Sequence, residues 1–289
     1  MKINKKIGII GNGFVGSAVE FGFSANVGVD ADVKVYDKDE NKSTHTLKEV
    51  VVESDIIFIS VPTPSNQNGS VNLDIVNDVL AEISQIKKEN KFDNIILLRS
   101  TAIPGTTRKL QEKYSNLRIV FNPEFLTERS ANQDFINQSR FVLGGDPNDI
   151  SIVSKLFRER FGSTISIIET NYESAELIKY MTNTFFATKI SFLNDMKILS
   201  DESGARWEDV IEGFVRDGRV GHSHLNVPGH DGKYGFGGSC FPKDIQALIS
   251  YGDSVGVDLS VLKGAWKTNL KVRPEKDWER LKGRAVVDE

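Results

Sequence analysis

The stretch IGIIGNGFVG at residues 7–16 decides the fold. Its first four residues are largely apolar and predict a buried strand, and the Gly-x-Gly-x-x-Gly pattern of Gly11, Gly13 and Gly16 predicts a tight turn into a helix. Glycines in this pattern allow a pyrophosphate to approach the backbone, and the helix N-terminus offers N–H groups to its phosphates. The stretch therefore predicts the first βαβ unit of a dinucleotide-binding sheet.

The distance from this turn to the next acidic strand end supports the same interpretation. A second apolar run, VKVY, ends before Asp37, which lies 21 residues after Gly16. An acidic residue about 20 residues beyond the glycines can bind the ribose hydroxyls of NAD and would repel the 2′-phosphate of NADP. A solvated residue at a strand end is the alternative for Asp37. The pattern predicts an NAD site that contains Gly11, Gly13, Phe14, Val15, Gly16 and Asp37.

Apolar runs and amphipathic stretches alternate as far as residue 171. Strands are expected at 7–10, 33–36, 55–61, 94–100, 118–122, 140–145 and 164–169, and helices between them include 74–86 and 149–161. Strands that alternate with helices favour right-handed crossovers and a mostly parallel sheet. We therefore predict an α/β fold, with a Rossmann-like, doubly wound NAD-binding domain at residues 1–171.

The strand pattern stops near Tyr172. Residues 173–203 contain no Gly or Pro, and their apolar residues recur at helical spacing, which predicts one long helix. Further helices are expected to begin near Trp207 and Pro242, so residues 172–289 should form a long connecting helix and a smaller all-α domain. The Gly- and His-rich stretch 217–239 has no regular period, and a long loop of this kind is more often functional than accidental.

The composition excludes several classes of protein. The chain has 289 residues, with 36 basic and 40 acidic side chains in no long block of either sign, which argues against a nucleic-acid partner. No apolar run reaches the ~20 residues that cross a bilayer, so no membrane partner is expected. The short, glycine-broken run after the N-terminal lysines indicates a strand and not a signal peptide. With one cysteine and no internal disulfide, we expect a cytoplasmic protein.

The single cysteine lies in GFGGSCFPKD at residues 235–244. Three glycines allow the backbone to pass close to a ligand, and Pro242 suits the first turn of a helix. Cys240 would then lie just before a helix N-terminus, where the helix dipole favours thiolate over thiol. Lys243 is close enough to reinforce this effect, and Asp244 lies about one turn away. A buried structural cysteine is the alternative, although such a residue is more typical of a mid-helix position among apolar neighbours.

These motifs together resemble the UDP-glucose/GDP-mannose dehydrogenase family. GFGGSCFPKD is similar to the catalytic-cysteine motif of that family, and the resemblance continues in the family's order through GNGFVG, RSTAIPGTT, FNPEFLTE, AELIKYMTN and DGRVG. It implies an NAD-dependent, four-electron oxidation of a nucleotide sugar. UDP-glucose, which would be oxidised to UDP-glucuronate, is the first candidate substrate. Cys240 would form a thiohemiacetal and then a thioester, which water would hydrolyse.

The resemblance also assigns roles that the residues alone leave open. It implies that Glu124 positions or activates the hydrolytic water, that Thr101 holds this water or the cofactor, and that Lys179 and Asn183 stabilise negative charge on the substrate oxygen. Without the family, Glu124 is as consistent with a solvated carboxylate, Thr101 with a helix cap, and the 179/183 pair with an exposed helix face. Asp244, like Glu124, is a candidate for proton transfer.

The remaining implied contacts fall into two groups. At the cofactor they are Thr63, Pro64, Thr101, Glu128 and Lys243, and at the substrate they are Glu124, Phe125, Leu126, Lys179, Asn183, Arg219, Phe236 and Gly237. Arg219 would reach the substrate of a neighbouring subunit, so a homodimer is expected. Members of the family carry a third, nucleotide-gripping domain, and this sequence ends where that domain would begin, so most or all of it should be missing.

Other functions stay open at this point. A two-electron hydroxyacid dehydrogenase would explain the predicted fold and a lysine on the long helix, but it would leave Cys240 without a role. A catalytically inactive regulator that binds NAD or a nucleotide sugar is a second alternative, against which the complete set of reactive side chains argues. His222, His224 and His230 do not predict a metal site, because they lack the Cys or acidic neighbours that usually complete one.

Overall fold

The apolar runs of residues 7–170 form one sheet in a computed structural model that describes residues 1–90 and 92–288. The strands are β1 (Ile7–Ile10), β2 (Val33–Tyr36), β3 (Ile56–Ile59), β4 (Ile95–Leu98), β5 (Ile119–Phe121), β6 (Arg140–Gly144) and β7 (Ser166–Thr170). Their order is β2-β1-β3-β4-β5-β6-β7. β1 to β5 pair in parallel, β6 is antiparallel to β5, and β7 is parallel to β6. The predicted mostly parallel sheet is confirmed.

Helices follow most of the strands, as an alternating α/β sequence requires. They are α1 (Phe14–Gly22), α2 (Leu47–Glu53), α3 (Asp74–Glu89), α4 (Thr106–Lys113), α5 (Ala131–Ile136) and α6 (Pro147–Phe161). The predicted helices at 74–86 and 149–161 correspond to α3 and α6. α6 begins two residues earlier than predicted, because Asp146 caps its first turn by accepting a hydrogen bond from the Asn148 N–H, and Pro147 starts the helix.

The strand order places a topological switch point at β1. β2 lies on one side of β1 and β3 on the other, so the chain changes direction across the sheet after β2. In open α/β sheets, ligands bind beyond the carboxyl ends of the strands at such a switch point. The carboxyl end of β1 leads directly into the turn that begins at Gly11.

Apolar side chains cover both faces of the central strands. All four residues of β3 are buried. Ile56 and Phe58 belong to one hydrophobic cluster, and Ile57 and Ile59 belong to a second. Because successive side chains of a strand point to opposite faces, a strand buried on both faces must be apolar throughout, and this accounts for the continuous apolar runs. The edge strand β7 differs, since none of its residues is fully buried.

The chain divides into two compact units. The first contains Met1–Thr63 and Leu73–Lys179, and the second contains Pro64–Asn72 and the chain from Tyr180 onward. The predicted long helix is α7 (Tyr172–Ser203), and the division falls within it. Pro64–Asn72 joins the second unit, where the Ser65 N–H donates to the Ala285 carbonyl at 2.9 Å and the Ser65 carbonyl accepts the Val287 N–H at 3.0 Å. No motif or periodicity in the sequence predicted this pairing.

The second unit is helical beyond α7, as predicted. It contains α8 (Trp207–Val215), α9 (Phe241–Ser254) and α10 (Ser260–Val272). One small core holds Ala187, Phe236, Ile245 and Ala265, and another holds Leu193, Trp207 and Val227. Throughout residues 1–90 and 92–288, no helix has both the length and the apolar character that a membrane span requires.

Candidate active site

The glycine-rich turn after β1 has the geometry of a phosphate cradle. Gly11 has φ of +88°, a left-handed conformation, and a Cβ there would lie 2.7 Å from the Ser60 carbonyl oxygen. A Cβ on Gly16 would overlap the Gly11 carbonyl oxygen, so this glycine allows α1 to pack close to the turn. At Gly13 a Cβ would meet no described atom within 4 Å, and no described side chain caps α1 there. The backbone at Gly13 therefore leaves room for an anionic ligand near the start of α1.

Asp37 lies at the carboxyl end of β2, next to this turn. Its Oδ2 accepts a hydrogen bond from the Asn12 N–H at 2.6 Å, and its Oδ1 accepts from the Asp39 N–H at 2.9 Å. The carboxylate therefore joins the strand end to the glycine-rich turn. This contact argues against the alternative that Asp37 is only a solvated strand end. The residues of this turn and Asp37 fit a dinucleotide with a free ribose 2′-hydroxyl.

The other residues predicted for the cofactor lie in the first turn of α1 and in several loops. Phe14 lines a surface cavity of about 230 Å³ together with Glu128, which is exposed. Thr101 is half-buried just after β4, and Thr63 is buried after β3. Pro64 belongs to the second unit. Val15 is half-buried in the first turn of α1.

A buried ion pair links α7 to the loop after β5. The Lys179 ammonium donates to Glu124 Oε1 at 2.8 Å and to the Glu124 carbonyl oxygen at 2.6 Å. Lys179 is 3% exposed and Glu124 is 6% exposed. The second carboxylate oxygen of Glu124 accepts the Leu126 N–H at 2.7 Å. The solvated and exposed alternatives for these two side chains are therefore wrong.

Aromatic contacts extend this cluster. The Lys179 ammonium lies 5.6 Å from the centre of the Phe125 ring, and the Arg140 guanidinium lies 4.4 Å from the same ring. Cation–π contacts of this kind favour a positive charge beside a ring. Leu126 is buried in the core of the first unit. The stretch predicted to contact substrate, residues 124–126, is thus held by both polar and aromatic contacts.

Cys240 occupies the N-cap position of α9, as the sequence predicted. It is half-buried, and its Sγ lies 3.8 Å from Ser239 Oγ. The Cys240 carbonyl accepts the Asp244 N–H at 2.8 Å, which closes the first turn of the helix. A thiol that is partly accessible at a helix N-terminus has the surroundings that favour a reactive thiolate. The mid-core position of a structural cysteine is not observed.

A second buried polar group surrounds Asp244, which is 1% exposed. The Asn183 side-chain amide donates to Asp244 Oδ2 at 2.6 Å, and the Lys243 ammonium donates to Asp244 Oδ1 at 2.5 Å. Asn183 is 7% exposed, so the alternative of an exposed helix face is wrong for it too. The Lys243 ammonium is thus paired with Asp244. The contact between Lys243 and the cofactor stays a prediction.

The other predicted substrate residues have different surroundings. The Arg219 side chain is 90% exposed and pairs with Asp217 on the surface of the second unit. Phe236 is buried in that unit's core, and the neighbouring Gly237 is half-buried. His224 stacks on Phe186 with ring centres 4.3 Å apart, and burial lowers the pKa of its imidazole. Within the described part of the chain, no group of three or more His, Cys, Asp and Glu side chains is arranged to hold a metal ion.

Sequence reasoning missed a buried arginine at the end of β4. Arg99 is 2% exposed and donates from Nη1 to Asn122 Oδ1 at 2.5 Å. Asn122 in turn donates to the Val142 carbonyl at 2.9 Å, so the ends of β4 and β5 are tied to β6 just before Glu124. Burial lowers the pKa of Arg99 to about 10. The available signal was a polar residue directly after each of two buried strands.

Sequence reasoning also missed Glu176, which lies one helical turn before Lys179 on α7. Its side chain is fully buried and accepts hydrogen bonds from the Gly105 N–H at 2.6 Å, the Thr107 N–H at 2.7 Å and the Thr107 hydroxyl at 2.7 Å. A carboxylate from α7 therefore caps the N-terminus of α4. Burial raises the pKa of Glu176 to about 7. The free N–H groups of a helix start are the only sequence signal for such a contact.

This buried carboxyl group predicts a pH-dependent stability difference. The pKa of Glu176 is about 7 in the folded chain and near its ordinary value of 4.5 when unfolded. The folded state thus keeps a proton that the unfolded state releases, and the stabilisation from this group is lost as pH rises from about 4.5 to 7. We expect wild type to lose on the order of 3 kcal/mol relative to Glu176→Gln across this range.

The measurement is the free energy of unfolding of both proteins in urea at pH 5 and pH 8. Asn137→Gln, at an exposed site on the C-cap of α5, serves as the control and should track wild type. The free energy of unfolding of wild type is compared with that of Glu176→Gln at each pH. If the difference between the two proteins is the same at pH 5 and pH 8, Glu176 does not titrate between these pH values.

Comparison with known proteins places these features in one family. The NAD binding domain of the UDP-glucose/GDP-mannose dehydrogenase family matches residues 34–161, and the central domain of that family matches residues 173–271. UDP-glucose 6-dehydrogenase of Rickettsia prowazekii is 36% identical over 243 residues, which are 82% of this chain and 54% of the relative. The chain spans about half the length of the curated relatives it matches.

Solved structures give the same result. A UDP-glucose dehydrogenase from Pyrobaculum islandicum has a TM-score of 0.81 at 27% identity, over 96% of this chain and 70% of that one. The 3-hydroxyisobutyrate dehydrogenase of Mycobacterium tuberculosis, at 14% identity and a TM-score of 0.74, covers 95% of both chains and shows a shared fold alone. The two domain matches take in most of the chain in the family's order. The chain therefore belongs to the UDP-glucose/GDP-mannose dehydrogenase family and carries its NAD-binding and central domains.

Proposed function

We propose that this chain is an NAD-dependent dehydrogenase that oxidises a nucleotide sugar by four electrons through covalent catalysis at Cys240. The observation that carries the proposal is the thiol at the N-cap of α9, one turn from the buried Asp244, which Asn183 and Lys243 hold by hydrogen bonds. A reactive thiol and a buried proton-transfer group are the parts that such chemistry needs.

The cofactor half of the proposal rests on the first unit. The glycine-rich turn at residues 11–16 would hold the pyrophosphate of NAD, and the Asp37 carboxylate would bind the ribose hydroxyls. Bound NAD supplies one piece of chemistry, which is to accept a hydride from the sugar carbon, with two NAD consumed per sugar. Thr101 and Glu128 are proposed to lie along the rest of the cofactor.

Cys240 makes the second oxidation possible. The first oxidation would remove a hydride from the alcohol carbon and the proton from its hydroxyl group, which gives an aldehyde. The Cys240 thiolate would add to the aldehyde carbon, and the oxygen would take up a proton to give a thiohemiacetal. This adduct keeps one C–H bond, and loss of that hydride together with the hydroxyl proton would leave a thioester. Water then attacks the thioester carbon, the C–S bond breaks, and the carboxylate leaves as the thiol is restored. Covalent catalysis thereby divides a difficult conversion into easier steps.

Lys179 and Asn183 are proposed to stabilise the oxygen that gains negative charge in these steps. They lie four residues apart on α7, so they share one helix face. Each is already fixed by a hydrogen bond to a carboxylate, Glu124 for Lys179 and Asp244 for Asn183. Donors held in place before the reaction need no reorganisation as charge develops, and this is often the largest catalytic contribution.

Glu124 is proposed to act on the hydrolytic water, with Thr101 holding that water or the cofactor. The Glu124 carboxylate is fixed by Lys179 on one oxygen and by the Leu126 N–H on the other. A buried, oriented carboxylate can accept a proton from water as it attacks a thioester. Phe125 and Leu126 follow in the same loop and are proposed to contact the sugar.

The choice of substrate follows the relatives. Those named UDP-glucose 6-dehydrogenase make UDP-glucose the first candidate, and other nucleotide hexoses are next. A two-electron hydroxyacid dehydrogenase would share the fold, as the mycobacterial structure shows. That function would leave unexplained the half-buried Cys240 and the Asp244 cluster, and an inactive regulator would leave the same features unexplained.

The proposal predicts a fixed ratio of products. Purified protein given NAD and UDP-glucose should release two NADH for each UDP-glucuronate. Cys240→Ser should lower acid formation by at least roughly 10³-fold, because the nucleophile is lost. The measurement is NADH absorbance together with chromatographic quantification of the acid, and Ser254→Ala, on the opposite end of α9, is the control. One NADH per product, or acid formation by Cys240→Ser near the wild-type rate, would contradict the proposal.

We further propose that the chain forms a homodimer through α7. Four large apolar side chains of the second unit, on this helix, are 51% to 68% exposed, namely Met181, Phe185, Phe192 and Leu199. Their spacing of four and seven residues places them along one side of the helix. Contiguous exposed apolar side chains are typical of a contact surface, and a two-fold pair is the commonest closed assembly. Arg219 is proposed to contact the substrate of the partner subunit.

A charge on this stripe should separate the subunits. Phe185→Glu and Phe192→Glu should shift the mass from that of two chains to that of one, because each would bury an unpaired carboxylate. The measurement is light scattering after size-exclusion chromatography. Val261→Glu, at an exposed position on α10, should stay dimeric. A wild type that has the mass of one chain would disprove the dimer.

A further inference from the structure

The main chain that leads into Cys240 is held by side chains from two helices. The Gly235 N–H donates to Asn194 Oδ1 at 2.9 Å. Asn269 makes two hydrogen bonds to Phe236, since its Oδ1 accepts the Phe236 N–H at 2.7 Å and its Nδ2 donates to the Phe236 carbonyl at 3.0 Å. The Asn269 side chain thus pairs with the backbone as a neighbouring strand would. Asn269 is fully buried in the second unit.

A buried guanidinium fixes the rest of the same loop. Arg273, 3% exposed, donates from Nε to Asp277 Oδ1 at 2.6 Å and from Nη2 to Asp231 Oδ2 at 2.6 Å. It also donates from Nη1 to the Tyr234 carbonyl at 3.3 Å. Asp277 in turn accepts the Gly238 N–H. Arg273 therefore ties both sides of the loop to the turn that follows α10.

Two glycines of the cysteine motif are explained by these contacts. A Cβ on Gly235 would overlap Asn269 Oδ1, and a Cβ on Gly237 would lie 2.5 Å from Arg273 Nη2. From the sequence, we predicted that these glycines let the backbone pass close to a ligand. In the structure they make room for Asn269 and Arg273. Gly238 differs, because a Cβ there would meet no described atom within 4 Å.

We propose that Asn269 and Arg273 are positioning residues, which set the path of residues 235–239 and thereby the place of the Cys240 thiol at the N-terminus of α9. The inference rests on the proposed role of Cys240 as the nucleophile. Only Ser239 separates the last anchored residue, Gly238, from the cysteine. A displacement of about 1 Å at a reacting group can cost roughly 10²-fold in rate, so an anchor outside the reacting atoms has a measurable effect.

The test uses the fact that the chain has one cysteine, so alkylation by iodoacetamide reports on Cys240 alone. Asn269→Ala removes both hydrogen bonds to Phe236. Arg273→Lys keeps the positive charge but cannot bridge two aspartates, and it is the milder variant should Asn269→Ala fail to fold. Asn137→Ala and Arg118→Lys are matched controls, because Asn137 also donates to a backbone carbonyl and Arg118 also bridges two aspartates, Asp93 and Asp149.

Each variant is assayed below its own melting temperature. We expect both loop variants to lower the alkylation rate at pH 7 by at least three-fold and kcat by 10- to 100-fold, with KM for NAD within two-fold of wild type. Both controls should stay within two-fold in every measurement. Alkylation rates of both loop variants within two-fold of wild type would overturn the inference. Should wild type show no turnover, the proposed function fails, and the alkylation rates alone still decide the positioning role.

Discussion

The burial of the Lys179 ammonium is the constraint on which the candidate site in the first unit depends. A charge removed from water is tolerated only where nearby groups compensate it, and the Glu124 carboxylate and carbonyl oxygen do so at 2.8 and 2.6 Å. The loop that contains Glu124 must therefore leave β5 along a fixed path. Asn122 and Arg99 fix the start of that path, and Glu176 anchors α7 one turn before Lys179. Each of these contacts gives a hydrogen-bond partner to a polar group that is buried there.

The second unit also contains a buried ionisable side chain with close polar partners, that of Asp244. This carboxylate accepts hydrogen bonds from the Lys243 ammonium and the Asn183 amide. The main-chain N–H of Asp244 closes the turn that begins at Cys240. A partly accessible thiol thus lies at the start of a helix whose first turn is polar and rigid. Such an arrangement favours reaction at the sulfur over packing, which is why we interpret the cysteine as a nucleophile and not as a core residue.

Sequence patterns predicted the elements of the fold better than their contacts. Strand periodicity, the glycine-rich turn and the unbroken helical stretch predicted the sheet and α7, because each depends on neighbouring residues. The four-residue spacing of Lys179 and Asn183 showed that they share a helix face, but not that this face is buried. Partners distant in sequence, such as Asn269 and Phe236 or Ser65 and Val287, leave no periodic signal, since these hydrogen bonds use main-chain N–H and carbonyl groups that do not depend on residue type.

The most direct test of the account is to detect the covalent intermediate on Cys240. Protein is mixed with NAD and UDP-glucose, and the reaction is quenched in acid after milliseconds to seconds. The protein is then digested, and the mass of the peptide that contains residue 240 is measured by mass spectrometry. Glu124→Gln, which slows hydrolysis in this account, should accumulate a thioester of the sugar acid on that peptide, and wild type should show less. Acid production by wild type at full rate, with no adduct on Cys240 at any time in either protein, would contradict the account.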